Sequence, residues 1–253
     1  MGLRPGHALS TADVAFRAFR RFNRERPALG FASRSRPGEW IADWFGGDGI
    51  EDRLARALLD ARAVPFKEIL ESFEFFERSR GHVRAPVVAD LCSGHGLAGM
   101  LYGVFHRDVD RVLLVDRVRP PSVSVCLEAL ATVAPWLPAK VDVQERAIED
   151  LELPDNSAVL GVHACGGATD AILDVALRAQ ASVAVLPCCH AKALLPGPAT
   201  LGNALGLAAA TDVHRTYRLH SAGYRTRWTA IPEAITPMNR VILGWPESPT
   251  ADS

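Results

Sequence analysis

The stretch that constrains the fold most is P-V-V-A-D-L-C-S-G-H-G-L-A-G-M, residues 86–100. An apolar run ends in an acid, passes through a small-residue turn and resumes as an apolar segment with helical spacing. That is the pattern of a buried parallel strand feeding a tight loop and a helix N-terminus. It predicts a strand over Val87 to Leu91 and a helix opening at Leu97. Gly94 and Gly96 allow positive φ, and they leave backbone N–H groups bare beside the positive end of the helix dipole. The loop is built to grip a ligand by its backbone. It is not G-x-G-x-x-G, because Asp90 closes the strand and Cys92 stands where a first glycine belongs.

The same alternation continues downstream. Arg111 to Asp116 reads as a second strand tipped by an acid, Lys140 to Gln144 as a third, Ala158 to Val162 as a fourth and Ser182 to Leu186 as a fifth, with helices between them. Strands alternating with helices argue for a parallel α/β sheet, and parallel strands place their carboxyl ends on one side. His163, Cys165, Asp170, Cys188, Cys189 and His190 therefore gather near one crevice. Thr169 and Asp170 read as a cap for a helix over Ala171 to Ala179, a role that competes with catalysis for Asp170. Leu201 to Tyr224 reads as one helix. The segment that follows it reads as two strands around a turn at Ile235 to Asn239.

Ahead of the sheet, Glu51 to Ala63 is amphipathic. Pro65 then starts a helix whose Phe66, Ile69, Leu70, Phe73 and Phe76 form an apolar stripe, with Lys67 and Glu68 at its first turn bordering the pocket. From Thr11 to Asn23, Val14, Phe16, Phe19 and Phe22 recur at helical spacing between arginines. Arg17, Arg20, Arg21, Arg24, Arg26, Arg34 and Arg36 make this end of the chain basic, which suits either a solvated helix face or contact with phosphates.

At 253 residues and 48% hydrophobic content the chain can bury one large core, and its formal net charge of -1 gives no global attraction for polyanions. No apolar run reaches bilayer length and no signal-peptide core is present, so a cytoplasmic protein without a membrane role is expected. Five cysteines, none in a C-x-x-C pair, predict reduced thiols rather than a disulfide framework. Cys165, Cys188 and Cys189 with the two histidines also resemble a mixed zinc set. Adjacent cysteines on a strand point to opposite faces, and no metal is expected.

These residues resemble class I S-adenosyl-L-methionine (SAM) methyltransferases. The run D-L-C-S-G-H-G, then H-A-C-G-G-A-T-D, then P-C-C-H and a closing I-T-P-M-N-R is similar to the methyltransferase-domain family that holds the eukaryotic tRNA acceptor-stem 2'-O-methyltransferases and proteins like the rRNA adenine dimethylases. The resemblance covers Lys67 to Pro246. It implies a Rossmann-like fold, a mostly parallel seven-stranded sheet ending in an antiparallel hairpin. It implies three parts: an N-terminal helical and irregular segment on the substrate side over 1–80, a SAM-binding domain over 81–247 and a disordered tail over 248–253. It further implies SAM held by Asp90, Cys92, Ser93, Gly94, Gly96, Asp116 and Arg117, with Asp116 on the ribose hydroxyls. Arg146, Ala147 and Ile148 take the adenine position and His163 the methyl end. Cys92 departs from the family's glycine, Arg146 from its usual acid, and the zinc-finger segments of the tRNA enzymes are absent.

His163 reads as base or orienter, or as a satisfied structural histidine; Asp170 and His190 are the further catalytic candidates. Lys67, Cys165, Cys188, Cys189 and His190 line the expected substrate pocket. Three functions fit: a SAM methyltransferase acting on O or N of an RNA, tRNA-like and met through the N-terminal arginines; one acting on a small metabolite or protein side chain; and a SAM-binding module without catalysis.

Overall fold

In the computed structural model the described residues are 14–25, 39–188, 190 and 199–247. The centre is a sheet of seven strands: β1 (Val87–Leu91), β2 (Arg111–Asp116), β3 (Val141–Glu145), β4 (Ser157–Val162), β5 (Ser182–Leu186), β6 (Tyr224–Ala230) and β7 (Arg240–Pro246), in the order β3-β2-β1-β4-β5-β7-β6. The first five are mutually parallel, and β7 joins β5 and β6 antiparallel, so the expected α/β sheet with a terminal hairpin is what the chain forms. Strand order reverses between β1 and β4, which opens a crevice at their carboxyl ends.

The central strands β1, β2, β4 and β5 are buried on both faces, while β3 and β6 at the edges are not. Val88, Val112, Leu114 and Leu160 point into one core layer, and Ala89, Leu113, Val115 and Val159 into the other. That two-residue alternation sorts the helices. α1 (Ile50–Asp60), α2 (Phe66–Ser79), α3 (Leu97–Phe105) and α4 (Ser122–Ala131) contribute to the first layer, and α5 (Ala168–Arg178) and α7 (Leu207–Ser221) to the second.

Several boundaries differ from expectation, each for a local reason. The segment read as one helix over Leu201 to Tyr224 is α6 (Ala199–Leu205) and α7, broken at Gly206 with φ 77, and Tyr224 already begins β6. The N-terminal stretch is irregular up to a short 3-10 turn, Arg20–Asn23. Phe16, Phe19 and Phe22 are buried there, and Phe19 meets Phe45 edge-on at 4.9 Å and Phe73 at 5.0 Å. Spacing by three suits that tight turn as well as it suits a helix. The start of that stretch at Thr11 and the arginines at 26, 34 and 36 lie outside the described residues, as does the 248–253 tail. No helix among the described residues is long and apolar enough to cross a membrane.

Candidate active site

The glycine loop forms as its sequence dictates. Gly94 and Gly96 take φ of 51 and 71, and a Cβ on Gly96 would sit 2.5 Å from Leu114 Cδ1. Cys92, in place of a glycine, also lies in the left-handed region, with φ 55. Asp90 does not point freely into the crevice. Its Oδ2 accepts the Gly99 N–H at 2.9 Å, so it clamps α3 onto β1. Asp116 holds the loop from the neighbouring strand: Oδ2 accepts the Gly94 N–H at 2.8 Å, and Oδ1 accepts the Arg117 N–H at 2.7 Å.

Two cavities flank the loop. One of about 540 Å³ is lined by Cys92, Asp116, Arg117, Ile148, Glu149 and Cys165, together with the start of α5. The other, about 480 Å³, runs from residues 63–65 past Glu68 and Ser72 to Asp90, Ser93, Gly94, His95 and His163. Cys92 lines both, so the two cavities meet the same residue of the loop.

The structure divides the remaining candidates. His163 reaches the second cavity from the end of β4, with φ 55 and its N–H bonded to the Leu186 carbonyl at 3.0 Å. Its Nε2 lies 2.8 Å from Glu71 Oε2. Lys67 does not line a cavity; its Nζ donates to Glu71 Oε1 at 2.5 Å. Arg146 lies outside both linings, its backbone N–H on the Asp116 carbonyl at 2.8 Å, and Ala147 is exposed while Ile148 is buried. Of the three residues expected beside the adenine, Ile148 is the one that lines one of the two cavities.

Asp170 is not a cap. α5 begins at Ala168 with Gly167 at its N-cap and no side-chain cap bond, and Asp170 faces α7, where Arg215 Nη2 donates to it at 2.9 Å. His190 likewise turns to α7, its Nε2 at 3.0 Å from Asp212 Oδ1, and it lines neither cavity. Cys188 lies outside the linings too, with its Sγ 3.1 Å from Cys165 Sγ. Cys189 lies outside the described residues.

Glu71 is the residue that sequence reasoning missed. Its side chain has no exposure, although it stands opposite the apolar stripe of α2, on the face that periodicity assigns to solvent. The available signal was a carboxylate at i+4 from Lys67 and i+3 from Glu68. His95, whose Nε2 lies 3.5 Å from Glu68 Oε2, was missed as well.

Burial sets the charge states along the loop. Burial raises the Cys92 pKa to about 11, helped by Asp116 and Asp90, so this thiol stays protonated and is no nucleophile at neutral pH. Burial also pushes Glu68 upward, but the His95 hydrogen bond and the charges of His95, Lys67 and His163 outweigh it, and Glu68 falls to about 2. Burial raises Asp90 to about 7 against the partial relief of the Gly99 N–H. Between the unfolded aspartate pKa of about 3.9 and this value the folded state binds the extra proton, so Asp90 makes stability fall as pH rises through that window. Asp90→Asn keeps an acceptor for Gly99 and loses the titration. Urea midpoints from pH 4.5 to 8 are expected to show the variant gaining on the wild type as pH rises; parallel profiles would contradict this.

A family model described as a methyltransferase domain matches residues 66–194. Among solved structures, a putative O-methyltransferase from Klebsiella pneumoniae aligns at 14% identity with a TM-score of 0.49, over 83% of this chain and 94% of its own. An O-methyltransferase family protein from Burkholderia thailandensis aligns at 15% identity and a TM-score of 0.44, over 95% of this chain and 66% of its own. A SAM-dependent methyltransferase from Aquifex aeolicus aligns at 14% identity and a TM-score of 0.44, over 69% of this chain and 90% of its own. No curated protein matches the chain in sequence.

Proposed function

The chain belongs to the methyltransferase-domain family, whose cofactor is SAM, and from that premise we propose that it transfers a methyl group to an oxygen or nitrogen of an RNA. The observation that carries the reading is the pair of cavities that flank the glycine loop and share Cys92 in their linings. The residues fit the cofactor. A Cβ on Gly94 would meet nothing within 4 Å, so this side of the loop is open backbone, and each Asp116 oxygen keeps lone pairs beyond its one N–H partner. Asp116 and Arg117 would hold the ribose, Ile148 the adenine, and Cys92, Ser93 and Gly94 the amino-acid arm. When bound, SAM supplies a methyl on a positively charged sulfur, open to displacement.

What the chain contributes to such a displacement is alignment and exclusion of water. Residues 63–65 and Ala98 wall the second cavity, while Ser72, His95, Glu68 and His163 give it polar partners for an incoming hydroxyl or amine. Asp170 and His190, engaged with α7, act on the scaffold in this reading.

RNA is favoured as substrate by Arg17, Arg20 and Arg24, which are exposed, and by the resemblance to the tRNA enzymes. Arg21 serves the fold instead, since it pairs with Asp52 and lies against the rings of Phe19, Phe22 and Phe45. A small-metabolite substrate is the second reading, favoured by the way residues 63–65 narrow the acceptor cavity and by the net charge of -1. The protein is assigned to the cytoplasm on the same reading.

Incubation with methyl-labelled SAM, total RNA and a metabolite extract tests the choice. Label is expected in RNA. Neutralising Arg17, Arg20 and Arg24 together should weaken RNA binding and flatten its salt dependence by roughly one counterion per lost phosphate contact. Label confined to small molecules would overturn the RNA reading. SAM binding with no labelled product would leave a module without catalysis.

A further inference from the structure

We propose that Glu68, Glu71 and His163 form a binding site for one divalent transition-metal ion on the wall of the second cavity. Glu68 and Glu71 stand one turn apart on α2, and His163 arrives from the end of β4. One ligand atom from each lies within 4.8 Å of the other two.

The second, independent observation is an orphaned oxygen. Glu71 is fully buried; Oε1 receives Lys67, while Oε2 makes no hydrogen bond. His163 Nε2 is equally buried and also makes none, although the two atoms are only 2.8 Å apart. The direction of the ring N–H misses the carboxylate, so proximity alone does not satisfy either group. Two buried acceptor atoms this close, neither of them hydrogen-bonded, call for a cation between them.

The spacing says which kind of cation. Ligand atoms about 2.1 Å from a metal stand about 3.0 Å apart at the right angles of an octahedron and about 3.4 Å apart in a tetrahedron. Acceptors around an ammonium, each about 2.8 Å from its nitrogen, stand about 4.6 Å apart. With no hydrogen bond between them, the separation of 2.8 Å between His163 Nε2 and Glu71 Oε2 is nearer to metal-ligand spacing and too narrow for an ammonium. Two carboxylate oxygens and an imidazole nitrogen, without thiolate, suit Zn²⁺ or Mn²⁺ better than Ca²⁺ or Mg²⁺. Glu68 and His163 both line the cavity, so the ion's remaining positions open onto it, where an oxygen of the methyl acceptor replaces water. His163 is then a ligand and not a base. What the ion does rests on the methyl-transfer reading; that it binds does not, and binding is measured without SAM or acceptor.

The full chain, stripped with chelator, is titrated with Zn²⁺ and with Mn²⁺ by calorimetry and thermal unfolding. Co²⁺ absorption serves as a probe of the ligand set, and Mg²⁺ as a control. One ion per chain and a rise in melting temperature are expected. Glu71→Gln and His163→Ala should each weaken binding at least about 100-fold, and both should alter the Co²⁺ spectrum. Lys67→Met, which leaves all three ligands in place, should bind as tightly as the wild type or more so. If Glu71→Gln does not fold, Glu68→Gln, on the half-buried ligand, carries the test with the same expectation. Three results would each overturn the site: no stoichiometric ion in the wild type, unchanged affinity in the ligand variants, or a His163 ring that titrates as a protonated ion-pair partner with Zn²⁺ present. SAM binding lost in Glu71→Gln with no ion bound by the wild type would also overturn it, giving Glu71 to the cofactor's ammonium.

Discussion

Asp116→Ala is expected to abolish the stabilisation that SAM or its demethylated product gives the wild type, and to lower kcat/KM by more than 100-fold. Asp116 ends β2 with both oxygens already serving the loop, through the N–H groups of Gly94 and Arg117, and both retain capacity for the two ribose hydroxyls. Hydrogen bonds to a charged group contribute about 1.5–3 kcal/mol each, so losing two costs about 3–6 kcal/mol, which exceeds two decades in affinity. Asp116→Ala also releases Gly94, which loosens the cradle. Asp116→Asn keeps an acceptor on one contact side and puts an amide donor on the other, and should fall between, with a loss of about 10-fold. Thermal shift and calorimetry check this, with NAD as the ligand expected to give no shift. A shift in Asp116→Ala equal to that of the wild type would remove the adenosine from this end of the crevice.

The parts of the fold legible in the sequence are those whose signal is local. β1, β2, β5 and the start of α3 fall where apolar runs, acids and glycines put them, because a strand buried on both faces and a loop needing positive φ each impose their own residue types on a short window. The proposed cofactor side of the site shares that property: Asp116, the glycine loop and Ile148 follow strand ends. The proposed acceptor side does not. Glu71 reads as a solvated polar residue opposite the apolar stripe until β4 delivers His163 beside it, and Asp170 reads as a cap until α7 delivers Arg215. A polar residue of this kind declares its role only through a partner distant in sequence. The N-terminal aromatics illustrate a third case, in which the right residues are buried but in an irregular chain with a 3-10 turn, because spacing by three does not distinguish the two periods.

The charged cluster around α7 predicts a large loss of stability, about 3–5 kcal/mol, for Asp212→Ala. Asp212 is 1% exposed, and its two oxygens serve three cationic or potentially cationic groups. Oδ1 takes His190 Nε2 at 3.0 Å and Arg215 Nη1 at 3.3 Å, and Oδ2 takes Arg240 Nη1 at 2.6 Å. The carboxylate therefore ties α7 to β7 and to the segment after β5. Arg215, with no exposure, is left by the truncation with Asp170 alone, a carboxylate on the cluster's open side. An uncompensated guanidinium in the interior is the costly state; the intact pair and an apolar replacement of similar volume are close in energy. It follows that the double variant Asp212→Leu with Arg215→Met should recover most of what Asp212→Ala loses, because it removes the buried charges along with their bonds. Urea unfolding at fixed m-value measures both. A loss below about 1 kcal/mol for Asp212→Ala would mean that water reaches Arg215. A double variant no more stable than Asp212→Ala would mean that α7 is positioned by the hydrogen bonds themselves, so that their geometry, more than the cost of buried charge, holds this helix on the sheet.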